Sequence, residues 1–230
     1  MMVLGTGLQG RNGEAFEAPA GPRAPFLIEV LAGLQLPAAV LPFDRNEEFF
    51  GEGEPAVFVY KVVSGAVRSF RILSDGRRQI DRFHLPGDIF GIEDGEEHRF
   101  SAEAIADSRI AFVKRTSLEA AVSRDNTAAR LLWSLACRDL ERARDHMLLL
   151  GRKSATERVA TFLLEMSASG RGAATIDLPM CRNDIADYLG LTIETVSRTL
   201  TQLERRGVIE LPSSRHVELR DRAALDGLFG

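Results

Sequence analysis

Residues 126 to 150 contain neither Gly nor Pro, and their apolar positions follow a helical seam. Ala129, Leu132, Ala136, Leu140, Ala143, Met147 and Leu150 are spaced 3, 4, 4, 3, 4 and 3 apart. The mean step of about 3.5 residues is the period of a coiled coil. The opposite face carries Arg130, Arg138, Asp139, Glu141, Arg142, Arg144 and Asp145. A helix of this length runs roughly 37 Å at ~1.5 Å per residue, as far as a small domain is wide. It therefore divides the chain. The small Ala residues in the seam allow close approach of a second helix, so residues 124–151 are expected to form a dimerisation helix with those seven residues as its seam; the alternative is one helix packed on its own domain.

Before this helix the pattern is that of strands. Residues 1–24 are rich in Gly, Pro and Ala and read as a flexible tail. Gly5-Thr6-Gly7-Leu8-Gln9-Gly10 matches GxGxxG, but no strand precedes it and no amphipathic helix follows, so a phosphate would meet no helix N-terminus. A short helical hairpin broken by Gly33 and Pro37 is expected from Pro25 to about Val40. Val57 to Val63 is β-branched and aromatic, and Ala66 to Leu73 and Gln79 to Leu85 alternate. The turns are Ser74-Asp75-Gly76-Arg77-Arg78 and Pro86-Gly87-Asp88. Short strands at this spacing predict an antiparallel β-roll, jelly-roll-like, over residues 25–123.

Beyond Gly151 the signals change again. Ser154 followed by Glu157 is a capping box opening a helix whose apolar face is Val159, Phe162, Leu163 and Met166. Thr175 to Leu178 reads as a short strand. Residues 182–206, RNDIADYLGLTIETVSRTLTQLERR, then set two helices around a turn. Ile185, Ala186 and Leu189 are the apolar face of the first, and Gly190 is its stop, where a left-handed residue is needed. Thr192 is a natural N-cap for the second, whose Val196, Leu200 and Leu203 face inward. Val208 to Leu211 and Arg215 to Leu219 form a two-strand wing around Pro212-Ser213-Ser214. Residues 152–230 thus read as a winged helix-turn-helix. The fold class is α+β: β-roll, long helix, winged helix.

The second helix of such a motif enters the DNA major groove by its N-terminal end. That end carries Ile193, Glu194, Thr195, Ser197 and Arg198, the expected base contacts. Arg can donate two bonds to guanine, Glu can accept from cytosine, and a methyl can meet thymine, each worth about 1–3 kcal/mol in discrimination. Arg182, Thr192, Thr201 and Arg215 are the expected phosphate contacts. The net charge of −4, from 29 Lys+Arg against 33 Asp+Glu, rules out a protein basic all over but not a local basic patch. Only Lys61, Lys114 and Lys153 are lysines, so Arg, the better planar donor, supplies most of the cations.

Across residues 26–220 the chain resembles the CRP/FNR superfamily of bacterial transcription regulators. The motif carrying the resemblance is Glu194-Thr195-Val196-Ser197-Arg198, similar to the E-x-x-S-R of the FNR-type branch. Ile193 and Ser197 stand where the cAMP-receptor branch has Arg and Gly. The resemblance therefore implies an inverted repeat of the form TTGAT-N4-ATCAA. The iron–sulfur members need four cysteines, and this chain has two. Members that bind a cyclic nucleotide hold it with Gly-Glu and Arg-Ser, whereas here Ile92 follows Gly91 and Phe100 precedes Ser101. Without the Arg, a cyclic phosphate would be buried unpaired. What remains is similar to the FixK-like branch, which carries no cofactor. That likeness implies an activator of low-oxygen respiration and nitrogen-fixation genes, whose partners are double-stranded promoter DNA, a second copy and RNA polymerase. By the same analogy, Ser74 to Arg78 and the loop near Thr116 are candidate polymerase contacts. An unidentified small effector in the β-roll is the alternative.

Other classes find little support. His84, His98, His146 and His216 are scattered without metal-ligand spacing, so no metal site is expected; a haem-ligating His84 is the remaining variant. No Ser/His/Asp spacing suggests an enzyme. No apolar run approaches 18 residues, the start lacks a basic region before an apolar one, and no disulfide framework exists, so a cytoplasmic protein is expected. Cys181, at the start of the first helix of the motif, is a candidate redox site. The helix dipole and Arg182 should favour its thiolate, and oxidation would set a negative charge beside a DNA phosphate. A disulfide between the two copies of Cys181 is a second outcome. Cys137 is expected to be buried and inert.

Overall fold

The structure, a computed structural model, describes residues 26–31, 34–169 and 174–227. The expected tail of residues 1–24 and its GxGxxG segment lie outside the described residues. Two compact units emerge: Met1–Gly76 with Asp81–Cys137, and Arg77–Ile80 with Arg138–Gly230.

The first unit is built from β1 (Phe26–Leu31), β2 (Leu34–Phe43), β3 (Glu48–Phe50), β4 (Phe58–Ser64), β5 (Val67–Ile72), β6 (Arg78–His84), β7 (Ile89–Phe90), β8 (Ser101–Ala104) and β9 (Ser108–Lys114), followed by α1 (Arg115–Arg124). The strands form a five-stranded sheet in the order β1-β2-β9-β4-β7 and a four-stranded sheet in the order β3-β8-β5-β6. All the pairings within the larger sheet are antiparallel, with Leu41 opposite Ile110 and Tyr60 opposite Phe112.

Residues 25–40 are not the expected helical hairpin. β1 and β2 pair antiparallel, with Leu27 opposite Pro37 and Ile28 opposite Leu36. The burial of β2 explains the difference: Leu36 and Ala38 are buried while Gln35, Pro37 and Ala39 are exposed, a period of two. Proline at 37 would break a helix interior, whereas its fixed φ of about −65° still lies at the edge of the extended region.

Strand alternation sorts the larger sheet onto two apolar clusters. Phe43, Tyr60, Val62, Ile110 and Phe112 pack with Phe49, Phe50, Val67, Phe90, Ala102 and Ala104. On the other parity Leu36, Ala38, Val59, Ala111 and Val113 pack with Leu118 of α1 and with Leu135 of α2 (Asn126–Arg152). Every residue from Ile110 to Val113 is therefore buried.

The second unit takes the C-terminal part of α2, then α3 (Ala155–Ser169), β10 (Thr175–Asp177), α4 (Arg182–Leu189), α5 (Ile193–Arg205), β11 (Ile209–Glu210), β12 (His216–Leu219) and α6 (Arg222–Asp226). The capping box at α3 is formed: Ser154 N donates to Glu157 at 2.7 Å and Glu157 N to Ser154 Oγ at 3.4 Å. The wing is one strand wider than the expected pair, because β10 joins it in the order β10-β12-β11. No helix among the described residues is long and apolar enough to cross a membrane.

His98 lies among the aromatic rings of the first cluster, 1% exposed and stacked on Phe50 with 3.6 Å between ring centres. Neither ring nitrogen has a hydrogen-bond partner among the described residues. Burial, with the charge of Arg115 behind it, pushes its pKa down to about 4. The unfolded chain, with an imidazole pKa of about 6.5, takes up this proton first, so the folded state loses stability as the pH falls from that value towards 4. Urea unfolding followed across this range should show that decline, and His98→Gln should make it shallower.

Candidate nucleic-acid interface

The helix-turn-helix is held by one glycine and one hydroxyl. Gly190 caps α4 at φ 60° and ψ 41°, a left-handed conformation costly for a residue with a Cβ. It lets Leu191 N donate to Ala186 O at 3.0 Å. Thr192 caps α5, its Oγ1 accepting from Thr195 N at 3.2 Å. Behind the turn, Ile185, Ala186 and Leu189 of α4 and Val196, Leu200 and Leu203 of α5 are buried. Thr199 is buried with them, a position the apolar pattern alone did not mark.

The opposite face of α5 is open. Glu194, Arg198 and Ile193 are exposed, and Thr195 and Ser197 are half-buried between them. Positions 193, 194, 197 and 198 fall on one side of the first helical turns, so these side chains form a contiguous patch at the helix N-terminus. Hydrogen bonds from the backbone amide of Glu194 and from Thr192 hold the Glu194 carboxyl below the ordinary glutamate range, and Arg198 adds a weaker Coulombic pull. Glu194 is therefore an ionised acceptor beside a permanent donor.

The candidate phosphate contacts flank this patch unevenly. Thr192 is exposed. Thr201 is half-buried, and its Oγ1 donates to Ser197 O at 3.1 Å. Arg215 is half-buried at the wing turn, where its amide donates to Ser213 Oγ at 3.3 Å. Arg182, the first residue of α4, is half-buried and its Nε has no hydrogen-bond partner among the described residues.

Cys181 is the N-cap of α4. Its thiol is engaged: Sγ donates to Asp184 Oδ2 at 3.1 Å, and its backbone amide donates to the same oxygen at 3.1 Å. Asp184 is 2% exposed and also pairs, at 2.7 Å, with Arg78 of the segment Arg77–Ile80 that clusters with this unit. The sequence reading overlooked Asp184. Cys181-x-x-Asp184 has the spacing of a capping box, with a thiol where Ser is usual.

Along α2 the seven expected seam residues divide. Ala136, Leu140, Ala143 and Met147 are exposed. Ala129, Leu132 and Leu150 are half-buried, and Leu132 packs on the β-roll cluster around Leu135. Trp133, 73% exposed, extends the open stripe to 133, 136, 140, 143 and 147, a 3-4-3-4 repeat. Cys137 is half-buried rather than buried. No group of three or more His, Cys, Asp or Glu residues among the described residues could hold a metal ion.

A winged helix-turn-helix with an open recognition face, joined through a long helix to an antiparallel β-roll, defines a DNA-binding transcription regulator. Comparison agrees at both ends of the chain. The Crp-like helix-turn-helix domain matches residues 157–228, and the cyclic nucleotide-binding domain matches residues 40–125. The chain is 54% identical over 202 residues to the nitrogen fixation regulation protein FixK of Azorhizobium caulinodans, covering 86% of this chain and 80% of that protein. To the protein of the same name from Rhizobium meliloti it is 42% identical over 192 residues, covering 84% and 88%. The structure of FixK2 from Bradyrhizobium japonicum superposes with a TM-score of 0.81 at 54% identity, covering 83% of this chain and 96% of that one. The chain belongs to the CRP/FNR family, among its FixK-like transcription regulators.

Proposed function

We propose that the protein is a dimeric activator of low-oxygen respiration and nitrogen-fixation genes that reads an inverted repeat resembling TTGAT-N4-ATCAA. The observation that carries this is the open N-terminal face of α5, where ionised Glu194 and exposed Arg198 stand one helical turn apart with Ser197 beside them. Arg198 serves a G·C pair as bidentate donor, Glu194 accepts from cytosine, and Ile193 and Thr195 offer methyl groups. Arg182, Thr192, Thr201 and Arg215 face the phosphates. The regulatory theme is carried over from relatives named for nitrogen fixation regulation, and the low-oxygen role from the family resemblance. Ser74 to Arg78 and the first turn of α1 around Thr116, which is helical rather than the expected loop, are the surfaces offered to RNA polymerase, in the cytoplasm.

A palindrome calls for two reading heads about one DNA turn, ~34 Å, apart. The second copy is expected on the stripe Trp133, Ala136, Leu140, Ala143 and Met147, where small residues alternate with large ones. Water would otherwise wet three large apolar side chains on one face.

Cys181 is the proposed point of redox inhibition. Two molecules of hydrogen peroxide carry a thiol through sulfenic to sulfinic acid, releasing one water at each step. The thiol then stops donating to Asp184 and becomes a second anion against it. The start of α4 loses its cap, and the helix end facing the phosphate gains negative charge.

Selection from random DNA should return the inverted repeat. Arg198→Ala should lose about 1–3 kcal/mol on it and relax choice at the G·C pair. Equal weakening on every sequence would instead make Arg198 a phosphate contact. Leu140→Glu combined with Met147→Glu should sediment as a monomer and bind the repeat poorly, because a carboxylate in an apolar seam costs several kcal/mol. Peroxide should abolish operator binding by the wild type and by Cys137→Ser but spare Cys181→Ser, whose hydroxyl can still donate to Asp184. Equal loss in Cys181→Ser would refute the redox role.

A further inference from the structure

Arg158, on the first turn of α3, spends its guanidinium on three backbone carbonyls. Nε donates to Lys153 O at 3.0 Å, Nη2 to Leu150 O at 2.7 Å and Nη1 to Leu189 O at 2.8 Å. Leu150 lies in the last turn of α2, Leu189 is the last residue of α4, and Lys153 stands between α2 and α3. Helices leave their last carbonyls without intrahelical donors, and those ends carry partial negative charge. One planar cation thus satisfies orphan acceptors at the ends of two helices and in the link between them. A Lys ammonium lacks the rigid fork that spreads such bonds.

Two other contacts bring the same elements together. A Cβ built on Gly190 would lie 3.6 Å from Arg158 Nη1 and 3.6 Å from Leu150 Cδ2, so the turn of the helix-turn-helix meets the end of α2. One turn earlier along α2, the His146 ring stacks on Tyr188 of α4 with 4.3 Å between centres. The Tyr188 hydroxyl in turn donates to Glu165 of α3 at 3.4 Å.

We infer that Arg158 is a positioning residue for operator recognition: it fixes the direction in which α4, and with it α5, leaves the end of α2. The inference rests on the dimeric reading above, in which α2 lies at the two-fold axis. If the axis is at α2, the angle at its end determines how far apart the two recognition faces stand. Arg158 then controls which spacing between half-sites is accepted, without touching a base.

The test compares wild type, Arg158→Lys and Arg158→Gln on inverted repeats with N3, N4 and N5 spacers and on DNA without half-sites. Sedimentation and thermal unfolding are measured alongside. Wild type should favour N4 sharply. Both variants should remain dimers, and Arg158→Gln should lose about tenfold or more on N4 while binding to N3, N5 and half-site-free DNA stays unchanged. Arg158→Lys should fall between, and it carries the comparison if the Gln variant fails to fold. Wild-type spacer preference in the folded variants would overturn the inference. So would equal weakening on every DNA accompanied by loss of the unfolding transition, which marks a residue needed only for folding. A wild-type dimer without spacer preference would overturn it too, whereas a wild-type monomer would overturn the dimeric reading itself.

Discussion

The burial of Val196, Leu200 and Leu203 on one side of α5, behind the turn made by Gly190, is the constraint on which recognition depends. A 13-residue helix is at the margin of stability in water by itself, so its position comes from tertiary packing. Because the apolar side is committed, the polar side has only one way to face. Glu194, Ser197 and Arg198 are thereby presented together, and on the proposed reading little ordering cost remains to be met on binding DNA. The Thr192 cap works in the same direction, fixing the start of the helix just before that face.

The same site unites two functions of a helix start. At α5 the cap is a hydroxyl in the open, beside the residues proposed to face the groove. At α4 the cap is a thiol bound to a buried carboxylate. A hydroxyl is chemically inert towards peroxide, and a thiol is not. On the proposed reading, oxygen in one cap and sulfur in the other separate a helix start that peroxide leaves alone from one that it can alter.

Much of this was legible in the sequence because the chemistry is local. Gly190, Thr192 and the pair Ser154 and Glu157 act on backbone within four residues, and each forms the structure expected of it. The misreading of residues 25–40 came from treating Gly33 and Pro37 as breaks in helices, when the alternation at Leu36 and Ala38 was the stronger cue. Trp133 went unnoticed because one run of apolar spacings on α2 fits more than one phase, and only the burial of Leu135 selects among them. Arg158 could not be seen at all. Its partners are carbonyl oxygens, which every residue carries, so no residue type at 150, 153 or 189 announces the contact.

Strand β9 has a further consequence. From Ile110 to Val113 it is covered on both sides, by the roll interior on one and by α1 and α2 on the other. In a saturation screen for promoter activation, residues 35–39 of β2 should tolerate change at every second position, whereas β9 should yield an unbroken block of loss-of-function alleles. Such a block resembles the footprint of a ligand site. Here it would report only that this strand is shared by two hydrophobic cores.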